Sequence, residues 1–317
     1  MSPSTQVPHD RRSEDVLHLT TSRRVRAPLH AGWWVVAVLF AAAVVWVVIS
    51  IAANPKMQWD IVGEYFFSPD VLAGLGRTLQ LTVIAMIAGI LGGVLLAVMQ
   101  MSPVGFLVWV SKTYVWLLRG TPLLVQIIFW YNIAAVFPTI SVFGIVDIDV
   151  NDLISPFTAA ILALALNEAA YMAEIVRGGL LAVDPGQTEA SRALGLTHAL
   201  TLRRVIIPQA ARVIIPPTGN QVISMLKSTA LVSVTSTPEL LYSVQIIYNN
   251  NFQTIPLLIV ASLWYLIVTS VLYVIQYYVE RRFSRGDRRS LPLTPLQRLQ
   301  ALLSRKQAAA ATGADHV

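Results

Sequence analysis

Apolar residues along this chain come in blocks far longer than the short repeats of a soluble amphipathic helix. A run of about 20 apolar residues is enough to cross the hydrocarbon core as a helix. Three blocks, 31–53, 78–102 and 255–279, contain no charged residue and meet that length. Three more are bordered or interrupted by polar groups. Arg119 precedes the run 120–137, Glu168 and Glu174 sit near the end of the run that begins at 156, and Lys227 lies inside 213–237. The pattern predicts an all-α membrane protein with six transmembrane helices. Charged residues within such helices usually face the protein interior or an aqueous path.

Outside the blocks the chain changes character. Residues 1–30 are polar and are expected to form a disordered tail. The first block is longer than a signal-peptide core and follows about 30 mostly polar residues, which predicts an uncleaved helix over 31–53. One membrane domain is expected over 70–280, followed by a tail over 284–317. In that tail, Thr294 and Pro295 are suited to start a short surface helix over 296–303. The loop 137–155 carries Asp147, Asp149 and Asp152 and no basic residue. It reads either as a site for a partner or cation, or as an ordinary solvated loop.

Basic residues orient the spans. Six spans place the N-terminal tail, 103–112, 177–212 and the C-terminal tail on one side, with five, one, five and eight Lys or Arg. The three opposite loops hold two, Lys56 and Arg77. The positive-inside rule makes both termini cytoplasmic. Only 13% of residues are charged, against roughly a quarter in soluble domains. The net charge of +6 is explained by topology and anionic lipid, so no nucleic-acid partner is expected. With no cysteine, disulfides and thiolate metal sites are excluded.

A cytoplasmic connection of about 35 residues, 178–212, is long for a compact membrane protein. Thr188 is suited to cap a short helix that Gly195 ends, and Thr197 to cap a second one running towards Arg204, with Pro208 ahead of the next span. Two short helices across the cytoplasmic face are therefore expected. Within this loop Glu189-Ala190-Ser191 is followed after three residues by Gly195, and after nine more by Val205-Ile206-Ile207-Pro208. That spacing resembles the Glu-Ala-Ala loop of the membrane subunits of ATP-binding cassette (ABC) importers, with Ser191, Val205 and Ile207 as conservative departures.

More segments resemble the polar amino acid branch of these type I permeases. They are Thr78-Leu79-Gln80-Leu81, Arg119-Gly120-Thr121-Pro122-Leu123-Leu124, the run from Ala170 to Gly179, Pro208-Gln209-Ala210 and Lys227-Ser228-Thr229-Ala230-Leu231. The resemblance covers about 72–280. It implies a five-helix core, so that 31–53 is an additional N-terminal helix. It also implies a subunit of the bacterial inner membrane that pairs with a second permease chain, identical or not. Two ATPase subunits would lie below the pair and an extracytoplasmic amino-acid-binding protein above it, with membrane lipid around. Gln187, Glu189, Ala190, Ala193 and Gly195 would then couple the ATPases to the spans, and transport would run by alternating access.

Candidate chemistry is sparse. The phosphate-binding pattern ending Gly-Lys-Ser/Thr is absent, since no Gly-Lys pair occurs. The five His residues are scattered without metal-ligand spacing, so no cofactor is expected in this chain. No nucleophilic constellation appears, which argues against an enzyme. Arg119, Thr121, Gln126, Asn167 and Glu168 are candidates for a substrate pathway, with Gln80 beside them. Arg119 is suited to a carboxylate and Glu168 to an ammonium group, as an amino acid offers both. Equally, the two are placed to neutralise each other or to line a subunit interface. Glu174 and Arg177, one turn apart, are placed to pair, and Lys227 to cap carbonyls at a helix break.

Two rival classes remain at this level. An ion-coupled transporter would explain Arg119 and Glu168 but not the spaced motif in 178–212. A membrane scaffold would explain the loop but not charges in three spans. The missing phosphate loop makes a direct prediction. The purified chain, free of partners, should hydrolyse no ATP in a phosphate-release assay, and turnover by the chain alone would overturn it.

Overall fold

The computed structural model describes residues 31–142 and 146–283. The tails 1–30 and 284–317, including the helix expected over 296–303, lie outside the described residues. Contacts divide the chain into two units, Met1–Met57 and Gln58–Val317. Of the first, the described part is α1 (Ala31–Ala52), apolar on every side, and a short 3-10 turn, Pro55–Met57.

Among the described residues, the second unit is helical almost throughout. In chain order it comprises α2 (Trp59–Phe66), α3 (Pro69–Gln100), α4 (Gly105–Gly120), α5 (Leu123–Tyr131) and α6 (Ile133–Val136). A small antiparallel hairpin follows, β1 (Thr139–Val142) and β2 (Val146–Asp149), and then α7 (Val150–Leu153). The remaining helices are α8 (Pro156–Leu181), α9 (Pro185–Ala193), α10 (His198–Thr201), α11 (Ile207–Ser228), α12 (Leu240–Asn251) and α13 (Thr254–Phe283). Among the described residues, four helices are long and apolar enough to cross a membrane: Gly32–Ala52, Pro69–Gln100, Pro156–Leu181 and Thr254–Phe283.

The two remaining predicted spans are divided. Apolar run 120–137 is broken into α5 and α6, and α5 is preceded by α4 across a break at Thr121-Pro122. Pro122 pushes the residue before it into extended backbone, and Thr121 has φ −109° and ψ 144°. Run 213–237 begins within α11 and ends in a 3-10 segment, Thr229–Thr235. The hairpin departs from the all-helical expectation. It ties the acidic loop to itself: Ser141 bonds to Asp147, and Asp149 caps α7 by accepting the Asn151 N–H at 2.8 Å.

Helices α3 and α8 form the centre. On α3, Thr78, Thr82, Ala85, Gly89, Gly93 and Ala97 recur at three- and four-residue steps and are buried. Leu79, Val83, Ile87, Leu91, Leu95 and Val98 form a second stripe and are exposed. The small residues therefore face protein and the bulky ones face outward, as expected where the surrounding solvent is hydrocarbon. Alanines 159, 160, 163, 169, 170 and 173 of α8 are buried in turn. The two backbones approach so closely that a methyl group on Gly89 would lie 2.6 Å from Glu168 Cγ, and one on Gly92 would lie 3.0 Å from Ala169 Cβ. At Gly93 it would strike Met172, with the Ala173 nitrogen 2.9 Å away.

Two apolar clusters flank this seam. Leu81, Met86, Ile127, Leu164, Met225 and Val232 join α3, α5, α8 and α11 with the segment that follows it. Val62, Val71, Leu240, Val244, Leu257 and Val260 join α2, the start of α3, α12 and α13. The second cluster is pinned by a buried polar knot. Glu239 caps α12, accepting from the N–H groups of Leu241 at 2.9 Å and Tyr242 at 2.7 Å. Its carboxylate also accepts the Tyr265 hydroxyl at 2.9 Å, while Thr78 Oγ1 accepts the Leu240 N–H at 3.0 Å. One side chain thereby ties α3, α12 and α13 together.

The α3–α8 seam predicts a sharp contrast. Gly93→Leu places a branched side chain against backbone, and overpacking of this kind costs about 1–3 kcal/mol or more. Gly76 lies on the same helix with nothing within 4 Å of an added methyl. Melting curves of the detergent-solubilised protein should show Gly93→Leu strongly destabilised and Gly76→Ala unchanged. Equal stability of the two variants would contradict the close approach.

Candidate functional site

The loop between α8 and α11 is built from local rules. Asp184, not Thr188, caps α9, accepting the Gly186 N–H at 2.7 Å, with Pro185 at the first helical position. Proline fits there because its missing N–H would have had no helical partner. A cap at Thr188 would begin the helix at Glu189, four residues after its observed start at Pro185. At the other end Gly195 has φ +73°, the left-handed region that glycine enters without strain. The Gly195 N–H bonds to Arg192 O at 2.9 Å and the Leu196 N–H to Ser191 O at 3.0 Å. These paired bonds are the Schellman closure of a helix, so Gly195 ends α9 as the sequence indicated.

Thr197 caps α10, its hydroxyl accepting the Leu200 N–H at 3.4 Å. The second expected short helix is not a separate element, however. α10 runs through a π-helical turn, Leu202–Ile206, directly into α11, and Pro208 lies in the first turn of α11. Pro208 therefore lies within a continuous helical run and not ahead of the span, where it removes one helical N–H without ending the helix.

Gln187, Glu189, Ala190, Ala193 and Gly195 are all exposed, and the neighbouring Leu194 is 80% exposed. Ser191 is turned inward and donates to Gln187 O at 2.7 Å. Gln209 Nε2 donates to Gln187 Oε1 at 3.2 Å, which ties α9 to the first turn of α11. α9 thus presents an exposed surface with a bare leucine, joined to the helix behind it by a hydrogen bond between exposed side chains.

The pathway candidates fall into two groups. Thr121, Gln126 and Asn167 form a network around the α4–α5 break. Gln126 Nε2 donates to Leu118 O at 2.8 Å and to Thr121 Oγ1 at 2.8 Å. Asn167 Nδ2 donates to Leu118 O at 3.0 Å and to Gln126 Oε1 at 3.2 Å. Carbonyls freed by Pro122 thus find side-chain donors, as they must in an apolar medium.

Asn167 and Glu168 also line a cavity of about 410 Å³, together with Tyr171, Gln221, Ser224 and Ser228. Glu168 is 5% exposed, and its buried Oε1 has no hydrogen-bond partner. Arg119 is not ion-paired with it. The Arg119 guanidinium lies 5.0 Å from the ring centroid of Tyr171, within cation–π range. Glu174 and Arg177 do pair, at 2.8 Å. Lys227 is exposed in the last turn of α11, where a cation suits the helix end. Sequence reasoning missed Gln221, Ser224 and Ser228. The signal was present: three polar residues at three- and four-residue steps in an apolar helix share one face.

Comparison with known proteins bears on both regions. Residues 89–285 match the family described as binding-protein-dependent transport system inner membrane component. Among curated proteins, the arginine transport system permease protein ArgU of Corynebacterium glutamicum is 44% identical over 273 residues, covering 85% of this chain and 86% of its own. The L-cystine transport system permease protein TcyB of Bacillus subtilis is 39% identical over 237 residues, covering 74% and 95%. The glutamine transport system permease protein GlnP of Escherichia coli is 35% identical over 227 residues, covering 71% and 98%. A crystal structure of an amino acid ABC transporter with histidines matches with TM-score 0.61 and 39% identity, over 70% of this chain and 98% of that one. A chain of the MetNI methionine ABC transporter matches at TM-score 0.51 and 21% identity, which shows the shared fold alone.

Fold and comparisons together define a multi-pass permease of an ABC importer. The chain belongs to the family of binding-protein-dependent transport system inner membrane components. It is a transport subunit for amino acids and not an enzyme, and ATP hydrolysis belongs to a separate subunit.

Proposed function

We propose that the chain spans the membrane six times and forms one half of a two-fold pathway for polar amino acids. In this reading α4 and α5 in series make the third span, and α11 with the 3-10 segment after it makes the fifth. Both termini and α9 face the cytoplasm, in keeping with the distribution of Lys and Arg. A second permease chain completes the pathway, two ATPase subunits receive α9, and an extracytoplasmic binding protein delivers the substrate. The names of the relatives, which concern arginine, cystine and glutamine, support a polar amino acid as cargo.

One observation carries the assignment of a substrate site: Glu168 lines the cavity, and its buried Oε1 has no hydrogen-bond partner. A buried polar atom without a partner costs free energy, and in a transport protein a ligand is the natural partner. An amino acid offers an ammonium to Glu168 and a carboxylate to Arg119, whose fork can hold it through two hydrogen bonds. Tyr171 connects the two, since it lines the cavity and carries Arg119 on its ring. Asn167, Gln221, Ser224 and Ser228 supply further donors and acceptors. Nucleotide-driven closure of the ATPases draws the α9 helices together and opens the cavity outward, and hydrolysis resets the inward-facing state.

The ABC mechanism is tested at Gly195. A valine there opposes the left-handed conformation, which costs a side chain about 1–2 kcal/mol. Gly195→Val should weaken association with the ATPase subunits and lower uptake, while the binding protein keeps its affinity for the amino acid. Normal uptake and normal ATPase association would remove α9 from the coupling role.

Recognition is tested at Glu168. The carboxamide of Glu168→Gln is close in shape and uncharged, so the assembled complex should keep its basal ATPase activity. Stimulation by loaded binding protein should fall, or preference among acidic, neutral and basic amino acids should change. A folded variant with unchanged uptake and unchanged selectivity would exclude Glu168 from the site.

A further inference from the structure

Helix α11 contains Pro216 and Pro217 in its interior. Each lacks an N–H, so the carbonyls of Arg212 and Val213 lose the donors that would stand four residues ahead of them, and the rings press on the turn before. A bend at such a point is the ordinary outcome. Thr218 reinforces it, since its hydroxyl donates back to Ile214 O at 2.8 Å, an interaction that also bends helices. The two prolines divide α11, one continuous helix over Ile207–Ser228, into two arms. The first bears Gln209, bonded to Gln187 of α9, and Ile214, packed against Gly179 at the end of α8. The second bears Gln221, Ser224 and Ser228, three residues of the cavity wall.

A side chain from another helix grips the break. Gln276 of α13 is 7% exposed, and its Nε2 donates to Pro216 O at 2.7 Å and to Glu280 Oε1 at 2.7 Å. Gly219 makes room for it, because a methyl at that position would fall on the Gln276 carboxamide. Beside the break lies an apolar groove of about 270 Å³, lined by Ile215, Thr218, Gly219, Leu272, Ile275 and Gln276. Open space next to a weakened helix turn lets the two arms change their angle without first displacing packed side chains.

We propose that Gln276 is a positioning residue for transport: its bond to Pro216 sets the bend of α11 through which movement of α9 reaches the cavity wall. The inference rests on the reading of α9 as the element that receives the ATPase subunits. The bond holds α13 fixed against one point of α11, so a push on the first arm turns the second arm about that point. Without the bond, the first arm bends freely at the prolines and the push dissipates before Gln221.

The test uses the full complex of permease, ATPase subunits and binding protein in proteoliposomes. Its readout is amino acid transported per ATP hydrolysed. Gln276→Leu removes the donor at similar volume. Gly219→Ala displaces the same side chain from the opposite helix. Both variants should assemble with the ATPase subunits and hydrolyse ATP, yet transport per ATP should fall by about fivefold or more, the low end of ordinary coupling between sites. Gln276→Lys, which retains a donor of similar reach, should keep most of the ratio. Pro216→Ala is mild for a helix and should lower the ratio as well, since it restores the donor to the Arg212 carbonyl and stiffens the turn, with Pro217 still in place.

A wild-type ratio in Gly219→Ala and Pro216→Ala would overturn the proposal even if Gln276→Leu failed to assemble. Loss of ATPase association in Gly195→Val, together with wild-type ratios in the α11 and α13 variants, would sink the bend and leave the α9 reading standing. Normal association and uptake in Gly195→Val, with uncoupled α11 and α13 variants, would sink the α9 reading instead.

Discussion

Apolar side chains gain nothing by leaving hydrocarbon for one another, so helices in a membrane associate through close contact and satisfied hydrogen bonds. The approach of α3 to α8 is the contact on which the rest of this structure depends. Gly89, Gly92 and Gly93 present bare backbone to Glu168, Ala169 and Met172. Because the helices meet there without bulky side chains between them, Glu168 is held over Gly89 with one buried oxygen left without a hydrogen-bond partner. The same seam fixes Ala159 to Ala173 of α8, against which the α5 and α11 sides of the first apolar cluster settle. A residue that is costly to bury is thus placed by residues that are inexpensive to pack.

Polar groups elsewhere follow a consistent division. Where a helix ends or begins, side chains satisfy its free backbone groups: Gln126 and Asn167 at the α4–α5 break and Glu239 at the start of α12. Such groups are saturated by the protein itself and contribute rigidity. Glu168 differs in having an oxygen left over, and α9 differs in leaving Leu194 bare. These two unsatisfied features lie on elements joined by α11. In the proposed reading, one takes a small polar ligand and the other a protein surface.

Much of this was legible in the chain itself. Long apolar blocks gave α1, α3, α8 and α13, because a membrane span needs little beyond length and the absence of charge. The spacing from Glu189 through Gly195 to Pro208 gave the loop and its family, and Gly195 closes α9 as glycine chemistry predicts. What escaped was local competition. Asp184 outcompeted Thr188 as a cap because Pro185 starts the helix earlier. The π turn carried α10 into α11, so Pro208 lies within one continuous helical run and not ahead of a separate span. Thr121 and Gln126 are polar within an apolar run, and their hydrogen bonds go to a broken backbone whose position the sequence left open. Gln276 and Glu239 gave no sign of their roles, because each acts on a helix remote in sequence.

The claim at the centre is that this chain moves amino acids with energy received from a separate ATPase through a cytoplasmic loop. Uptake by proteoliposomes containing the permease, its ATPase subunits and its binding protein tests that most directly. The amino acid held by the binding protein should accumulate only when ATP is supplied on the ATPase side. Collapsing proton and sodium gradients should leave the rate unchanged. Accumulation by the permease alone, driven by an ion gradient without ATP, would contradict it.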